Sequence, residues 1–151
     1  MDDKGLVPYN EATILEAQRF ASLIPLGIPH QAMTDTVIGG YNVPKGTVLV
    51  PNLYSMHHDP RYWKNPYKFD PCHFLDTHGK VVIPPGFAPF QVGKRSCPGE
   101  ALAKMELYLF ITNIVKNFDL LNAPGQSVSH ADHVASIVLA PFPYKIVFVP
   151  R

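Results

Sequence analysis

Apolar and polar positions along the 151-residue chain fall into three unlike patterns. From about Pro8 to Ala21, Ile14, Leu15, Ala17 and Phe20 recur at helical spacing, with Pro8 near the start and Asn10 a candidate N-cap. From Leu23 to Phe90 the apolar runs are short and broken by proline and glycine. Leu23-Ile24-Pro25-Leu26-Gly27-Ile28-Pro29-His30 predicts an extended connector, since its prolines and glycine oppose a helix. Thr36 to Val50 predicts a β-hairpin or meander with a tight turn at Pro44-Lys45-Gly46. Asn52 to His58 predicts a short helix. Between Tyr62 and Phe74 aromatics alternate with turn residues, as in a loop anchored to the body. Val81 to Phe90 is extended and apolar. The third pattern runs from Glu100 to Val115, a helix apolar on most faces beyond Met105, which predicts burial in a larger body. Asn117 to Leu121 ends it. Asn122 to His133 is polar and loop-like, and Val134–Leu139 and Tyr144–Val149 then predict two strands around Pro141-Phe142-Pro143.

Composition changes this picture little. Hydrophobic content of 46% with 17% charged residues fits a buried core rather than a disordered chain. The 16 prolines crowd between Pro44 and Pro98, which predicts a long irregular segment. A net charge of +1 gives no case for nucleic acid. No apolar run approaches the ~20 residues needed to cross a bilayer. Cys72 and Cys97 make neither a disulfide framework nor a zinc pattern. His57, His58, His73 and His78 cluster in sequence but lack helical or paired-cysteine spacing for a metal. Cys72 is expected to be a partly buried bystander.

One stretch carries chemistry. Phe90-Gln91-Val92-Gly93-Lys94-Arg95-Ser96-Cys97-Pro98-Gly99 joins the irregular segment to the long apolar helix. Pro98 suits the first position of a helix, which places the Cys97 thiol at a positive helix end, where a thiolate is favoured. Gly93 and Gly99 allow backbone angles or close approaches that a Cβ would block. Arg95 adds a permanent charge suited to carboxylates. A lone cysteine in a glycine-rich turn is ordinarily just a small buried side chain. A thiolate on a tight loop, with room for a flat partner and a cation beside it, is also what an axial ligand to haem iron requires. Far upstream, Glu16 and Arg19 lie three apart on one helix face, either as a surface ion pair or as something more.

The unbroken pattern Phe-x-x-Gly-x-Arg-x-Cys-x-Gly resembles the haem-binding signature of the cytochrome P-450 family. The Glu16-x-x-Arg19 pair is similar to that family's buried Glu-x-x-Arg. The proline-rich stretch resembles its Pro-Glu-Arg-Phe-like segment, here Pro71-Cys72-His73-Phe74, with His73 in place of the arginine that completes the pair. The resemblance covers essentially the whole chain and is closest to animal microsomal members. It implies a mainly α fold with small β-sheets (α+β within this segment): helix, β-hairpin, proline-rich meander, Cys-ligand loop, long buried helix, terminal β-hairpin. Residues 1–151 would be the C-terminal haem-binding part of a single domain, a fragment without the helix carrying the oxygen-activating residues, and so with no catalytic residue of its own.

The same resemblance implies haem b (iron protoporphyrin IX) as cofactor, with Cys97 as the axial ligand. Phe90 would shield the thiolate side, Gly93 and Gly99 would shape the loop, and Arg95 and His30 would hold propionates. Ile24, Leu26, Gly27, Ile28, Ile137, Val138 and Leu139 would border the substrate pocket. The whole protein would be a monooxygenase acting on an apolar small molecule such as a fatty acid, steroid or xenobiotic. Its electrons would come from NADPH through a flavoprotein reductase, with cytochrome b5 as a further candidate donor. It would sit on the cytoplasmic face of the endoplasmic reticulum membrane, held there by a segment not in this sequence. Two alternatives stay open: a haem-thiolate peroxide isomerase or dehydratase, and a non-catalytic truncated product.

Overall fold

The computed structural model describes residues 6–126 and 133–151. Helix α1 spans Pro8–Ala21. Proline opens it at the first turn, where its missing N–H costs nothing. The N-cap is Val7, not Asn10. Asn10 lies inside the helix and donates from Nδ2 to Thr112 Oγ1 at 2.7 Å, tying the two long helices together. Ser22, left-handed at φ 40°, ends α1, and its N–H reaches Gln18 O at 3.2 Å. Ala12, Ile14, Leu15, Glu16 and Arg19 form the buried face, so two of its five members are charged.

The connector then turns and enters β1, His30–Gln31. Strands β2 (Thr36–Ile38) and β3 (Tyr41–Val43) pair as a hairpin closed at Gly39-Gly40, both with positive φ. The predicted turn at Pro44-Lys45-Gly46 exists, with Thr47 N–H bonded to Pro44 O at 3.2 Å. It does not close a hairpin with β3, however. It returns the chain so that β4, Val48–Leu49, pairs with β1 in the register His30↔Leu49. Helix α2, Leu53–His57, is capped by the Asn52 side chain, which accepts from Ser55 N–H at 2.9 Å.

The irregular segment supplies the core. Ala12 and Leu15 of α1 pack with Trp63 and Phe74, and Leu75, Val81 and Phe87 close around them. Phe74 and Phe87 meet edge to face at 4.8 Å, and Trp63 donates from Nε1 to Met56 O at 3.0 Å. Each fully buried ring of this kind stabilises by about 1.5–3 kcal/mol. Gly86 permits the crossing of Tyr62, whose Cβ and Cγ would lie 2.8 Å from any Cβ placed there.

Helix α3 runs Glu100–Asn117, two residues past the sequence estimate. It begins at Glu100 and not at Pro98, because the chain first turns through Cys97 to Gly99 before the Ala103 N–H to Gly99 O bond starts the helix. None of its residues is buried, and Leu102, Met105, Leu109 and Phe110 stand exposed. The expected burial of this helix is therefore not met by the described residues. The terminal strands also differ from expectation. Strand β5 (Phe118–Asn122), read as a helix end, pairs with β8 (Ile146–Pro150). The run read as one strand is itself a hairpin of β6 (His133–Ala135) and β7 (Leu139–Pro141). Ser136 makes this possible: its Oγ and N–H bond Val138 and fold the tip. Residues 127–132 of the predicted polar loop lie outside the described residues. No helix among the described residues is long and apolar enough to cross a membrane.

Candidate functional site

The Phe90–Gly99 stretch is a closed loop. Cys97 N–H donates to Phe90 O at 2.9 Å and Ser96 N–H to Gly93 O at 3.2 Å. Closing so tightly requires left-handed residues, and Gln91 (φ 62°) and Gly93 (φ 84°) supply them. For Gly93 the demand is conformational, since a Cβ there would meet nothing within 4 Å. Gly99 has ordinary φ, and a Cβ on it would lie 3.8 Å from Cys97 Sγ, on the flank of the thiol. Cys97 is unpaired and exposed. The Glu100 N–H donates to the Cys97 carbonyl at 3.4 Å, not to its sulfur. Arg95 is exposed beside it, with no hydrogen bond or ion pair among the described residues. Phe90 is half-buried, with Lys104 Nζ 5.8 Å from its ring centroid and Lys104 itself paired to Glu100. A groove of about 360 Å³ runs beneath the loop between Leu15, Phe87, Phe90 and Lys104.

A buried polar brace lies upstream of the loop in the chain. Arg19 and Glu16, each 0% exposed, meet in two parallel bonds of 2.7 Å, Nε to Oε2 and Nη2 to Oε1. The remaining Arg19 donors reach His57 O (2.6 Å), Pro66 O (2.9 Å) and Lys68 O (3.3 Å). Glu16 Oε1 also accepts from Asp70 N–H at 2.8 Å and faces His73 Nδ1 at 3.2 Å. The expected third contact is therefore present in this structure, with imidazole standing for guanidinium. His73 Nε2 bonds Lys64 O at 2.5 Å, so both ring nitrogens are engaged. A lone Glu-x-x-Arg in the sequence cannot distinguish this from a surface pair; burial does.

His57 links the brace to the ligand loop. It is 1% exposed, its Nδ1 lies 3.0 Å from Ser22 Oγ, and its Nε2 accepts from Ala88 N–H at 3.2 Å, two residues before Phe90. A ring nitrogen that accepts a backbone N–H must be unprotonated, so Nδ1 carries the proton. Burial, helped by neighbouring His58 and Arg19, lowers its pKa to about 4. His58 is lowered in the same direction, first by burial, and stacks between Tyr54 (4.2 Å) and Tyr67 (5.2 Å). His57, His58 and His73 thus serve separate packing and hydrogen-bonding roles. Cys72 is exposed rather than partly buried, and its thiol is pushed up by its hydrogen bond to Asp70.

The pocket candidates are brought together in part. Leu139 N–H donates to Leu23 O at 2.8 Å, which sets the β6–β7 tip (Ile137, Val138) beside the connector bearing Ile24, Leu26 and Ile28. Ile137 is 83% exposed. His30 lies at the start of β1, and its Nε2 faces Gln91 Oε1 of the ligand loop at 3.3 Å. Gln91 and His57 take roles that local sequence does not assign them. Their importance comes from long-range contacts, and only the left-handed demand of a tight loop could have hinted at Gln91.

Comparison with known proteins gives a consistent answer. A family model for cytochrome P450 matches residues 1–148. Cytochrome P450 2D14 of Bos taurus is 41% identical over 151 residues, which is 100% of this chain and 30% of that protein. Cytochrome P450 2U1 of Bos taurus is 42% identical over the same span, covering 28% of its length. Cytochrome P450 2D6 of Homo sapiens is 41% identical, covering 30%. The chain thus spans about 30% of the length of the curated relatives it matches.

Proposed function

The chain belongs to the cytochrome P450 family, and from that premise we propose that it is the C-terminal, haem-binding part of a longer haem-thiolate monooxygenase domain. The observation that carries this reading is the exposed Cys97 thiol on a loop closed by its own N–H to Phe90 O. Members of the family bind haem b, and the residues present fit that group. The loop offers one soft donor, the Cys97 thiol, its flank at Gly99 lacks a Cβ, and Gly93 leaves open space.

In this reading Cys97 binds iron as a thiolate, Phe90 covers the thiolate side, and Arg95 and His30 hold propionates by charge-assisted hydrogen bonds. Bound there, the haem supplies activation of O2 and delivery of one oxygen atom to substrate, favoured by the electron-rich thiolate. The chain's own work is positional. The Glu16–Arg19–His73 brace and His57 hold the loop's approach rigid, so that the thiol stays at one place. The connector and the β6–β7 tip offer apolar side chains (Ile24, Leu26, Ile28, Ile137, Val138) to an apolar substrate such as a fatty acid, steroid or xenobiotic. Electrons come from NADPH through a flavoprotein reductase, with exposed Lys94 a candidate contact and cytochrome b5 a further candidate donor. The protein works at the cytoplasmic face of the endoplasmic reticulum membrane.

The test is oxygenation by the chain in its full-length context, supplied with reductase and NADPH. Product formation lost in Cys97→Ala supports the reading. Product formation that survives that change refutes it. The 151 residues alone are expected to give no turnover, because Cys97 stands open to water.

A further inference from the structure

Gln91 sits in the ligand loop at φ 62°, a backbone conformation that costs a non-glycine residue about 1 kcal/mol or more. A residue kept there earns its place through its side chain. That side chain crosses to the connector and makes two contacts there. Nε2 donates to Ile28 O at 3.1 Å, and Oε1 faces His30 Nε2 at 3.3 Å. Gly27 makes the approach possible, since any Cβ at that residue (φ 57°) would run into Gln91 Nε2 and lie 2.8 Å from Pro51 Cγ.

The donor and acceptor inventory fixes the proton. Only the NH2 end of the Gln91 amide can face the Ile28 carbonyl, because a flipped amide would set oxygen against oxygen. Oε1 therefore faces His30, and His30 Nε2 must carry a hydrogen to meet it. Nδ1 has no hydrogen-bond partner among the described residues. In the neutral ring it is a bare lone pair.

We propose that Gln91 is a positioning residue: by accepting from His30 Nε2–H it fixes the orientation of the ring and leaves Nδ1 as its free corner, where a carboxylate can meet the ring through a shared proton. This rests on the haem reading only for the identity of the carboxylate, a propionate. The hydrogen-bonded arrangement itself does not depend on it. A latch of this kind also couples the ligand loop to the connector that borders the proposed substrate pocket.

The test is 15N NMR of histidine-labelled chain, in its full-length context, at a pH where His30 is neutral. The expected result is the Nε2–H pattern for His30. In Gln91→Leu, which keeps bulk but has no carbonyl, that signature gives way to a tautomer mixture. Gln91→Glu retains the acceptor and keeps the proton on Nε2. An Nδ1–H signature in the parent chain, or an unchanged spectrum in Gln91→Leu, overturns the proposal. Haem dissociation measured by transfer to apomyoglobin gives a second readout. Gln91→Leu and His30→Phe are each expected to release haem about 10-fold faster, one net hydrogen bond's worth. The double variant should be no worse than either. Additive losses refute the coupling. Failure of haem to bind through Cys97 would instead refute the haem reading, and the tautomer measurement would still decide the role of Gln91.

Discussion

Replacing Arg19 by lysine tests the buried brace of Glu16, Arg19 and His73. Arg19 is fully buried and spends its donors on five contacts: two to Glu16 and one each to the carbonyls of His57, Pro66 and Lys68. Outright removal, as in Arg19→Ala, strips the buried Glu16 carboxylate of its guanidinium and leaves it only Asp70 N–H and His73, at about 3 kcal/mol. It also orphans three carbonyls at about 1 kcal/mol each. The sum rivals the about 5–15 kcal/mol that stabilises a whole domain, so that variant is expected not to fold. Arg19→Lys keeps the charge but loses the planar fork, and an ammonium cannot reach all five acceptors. Losing two of the charge-assisted bonds costs about 3 kcal/mol. Trp63 reports the change directly. It is the chain's single tryptophan, 1% exposed, with the Arg19 guanidinium carbon 5.1 Å from its ring centroid. In urea titrations followed by its fluorescence, a slope near ~2 kcal/mol/M converts the loss to a midpoint lowered by about 1.5 M. A midpoint within about 0.3 M of the parent would refute the account of Arg19 as the hub of three segments: α1, α2 and residues 66–68.

Three further outcomes are expected. Stability should rise with pH between about 4 and 6.5, because the His57 ring takes up a proton near 6.5 when unfolded but only near about 4 when folded, so the unfolded state binds more protons in that window. The span amounts to about 3 kcal/mol, His58 adds in the same direction, and denaturant midpoints across pH should flatten in His57→Leu; an undiminished slope there would be a contradiction. Gly86→Ala should cost about 1–3 kcal/mol by driving a Cβ onto the Cβ and Cγ of Tyr62, and thermal melts should show a smaller loss when the same change is made in a Tyr62→Gly background, where all the obstructing atoms are gone. Cys72 should alkylate slowly at neutral pH because its bond to Asp70 holds the thiol form, and Asp70→Asn should speed it; equal rates in the two chains would remove Asp70 as the cause.

Local signals carried the helices well. Pro8 and the apolar spacing located α1 to the residue, and the Asn52 side chain caps α2 as its position implies. Pairing between strands was not legible, for a physical reason. Apolar strands of two to five residues do not say which partner they meet, so Val48–Leu49 found His30–Gln31 and Ile146–Pro150 found Phe118–Asn122. The Val134–Leu139 run looked like one strand because the Ser136 turn that folds it back is made by a side-chain hydroxyl, not by glycine or proline. At the site, the spacing from Phe90 to Gly99 marks one stretch of chain that the structure closes into a loop, and Glu16, Arg19 and His73 meet through contacts that spacing does not show. The roles of His57 and Gln91 are not legible in local sequence because their partners lie 31 to 63 residues away along the chain.

The central claim is that Cys97 is the iron ligand. The most direct measurement is the absorption spectrum of the reduced, carbon-monoxide-bound full-length protein, compared with its Cys97→Ser variant. The account predicts the strongly red-shifted Soret band of a thiolate ligand in the parent and its loss in the variant. The same red-shifted band in Cys97→Ser would contradict it.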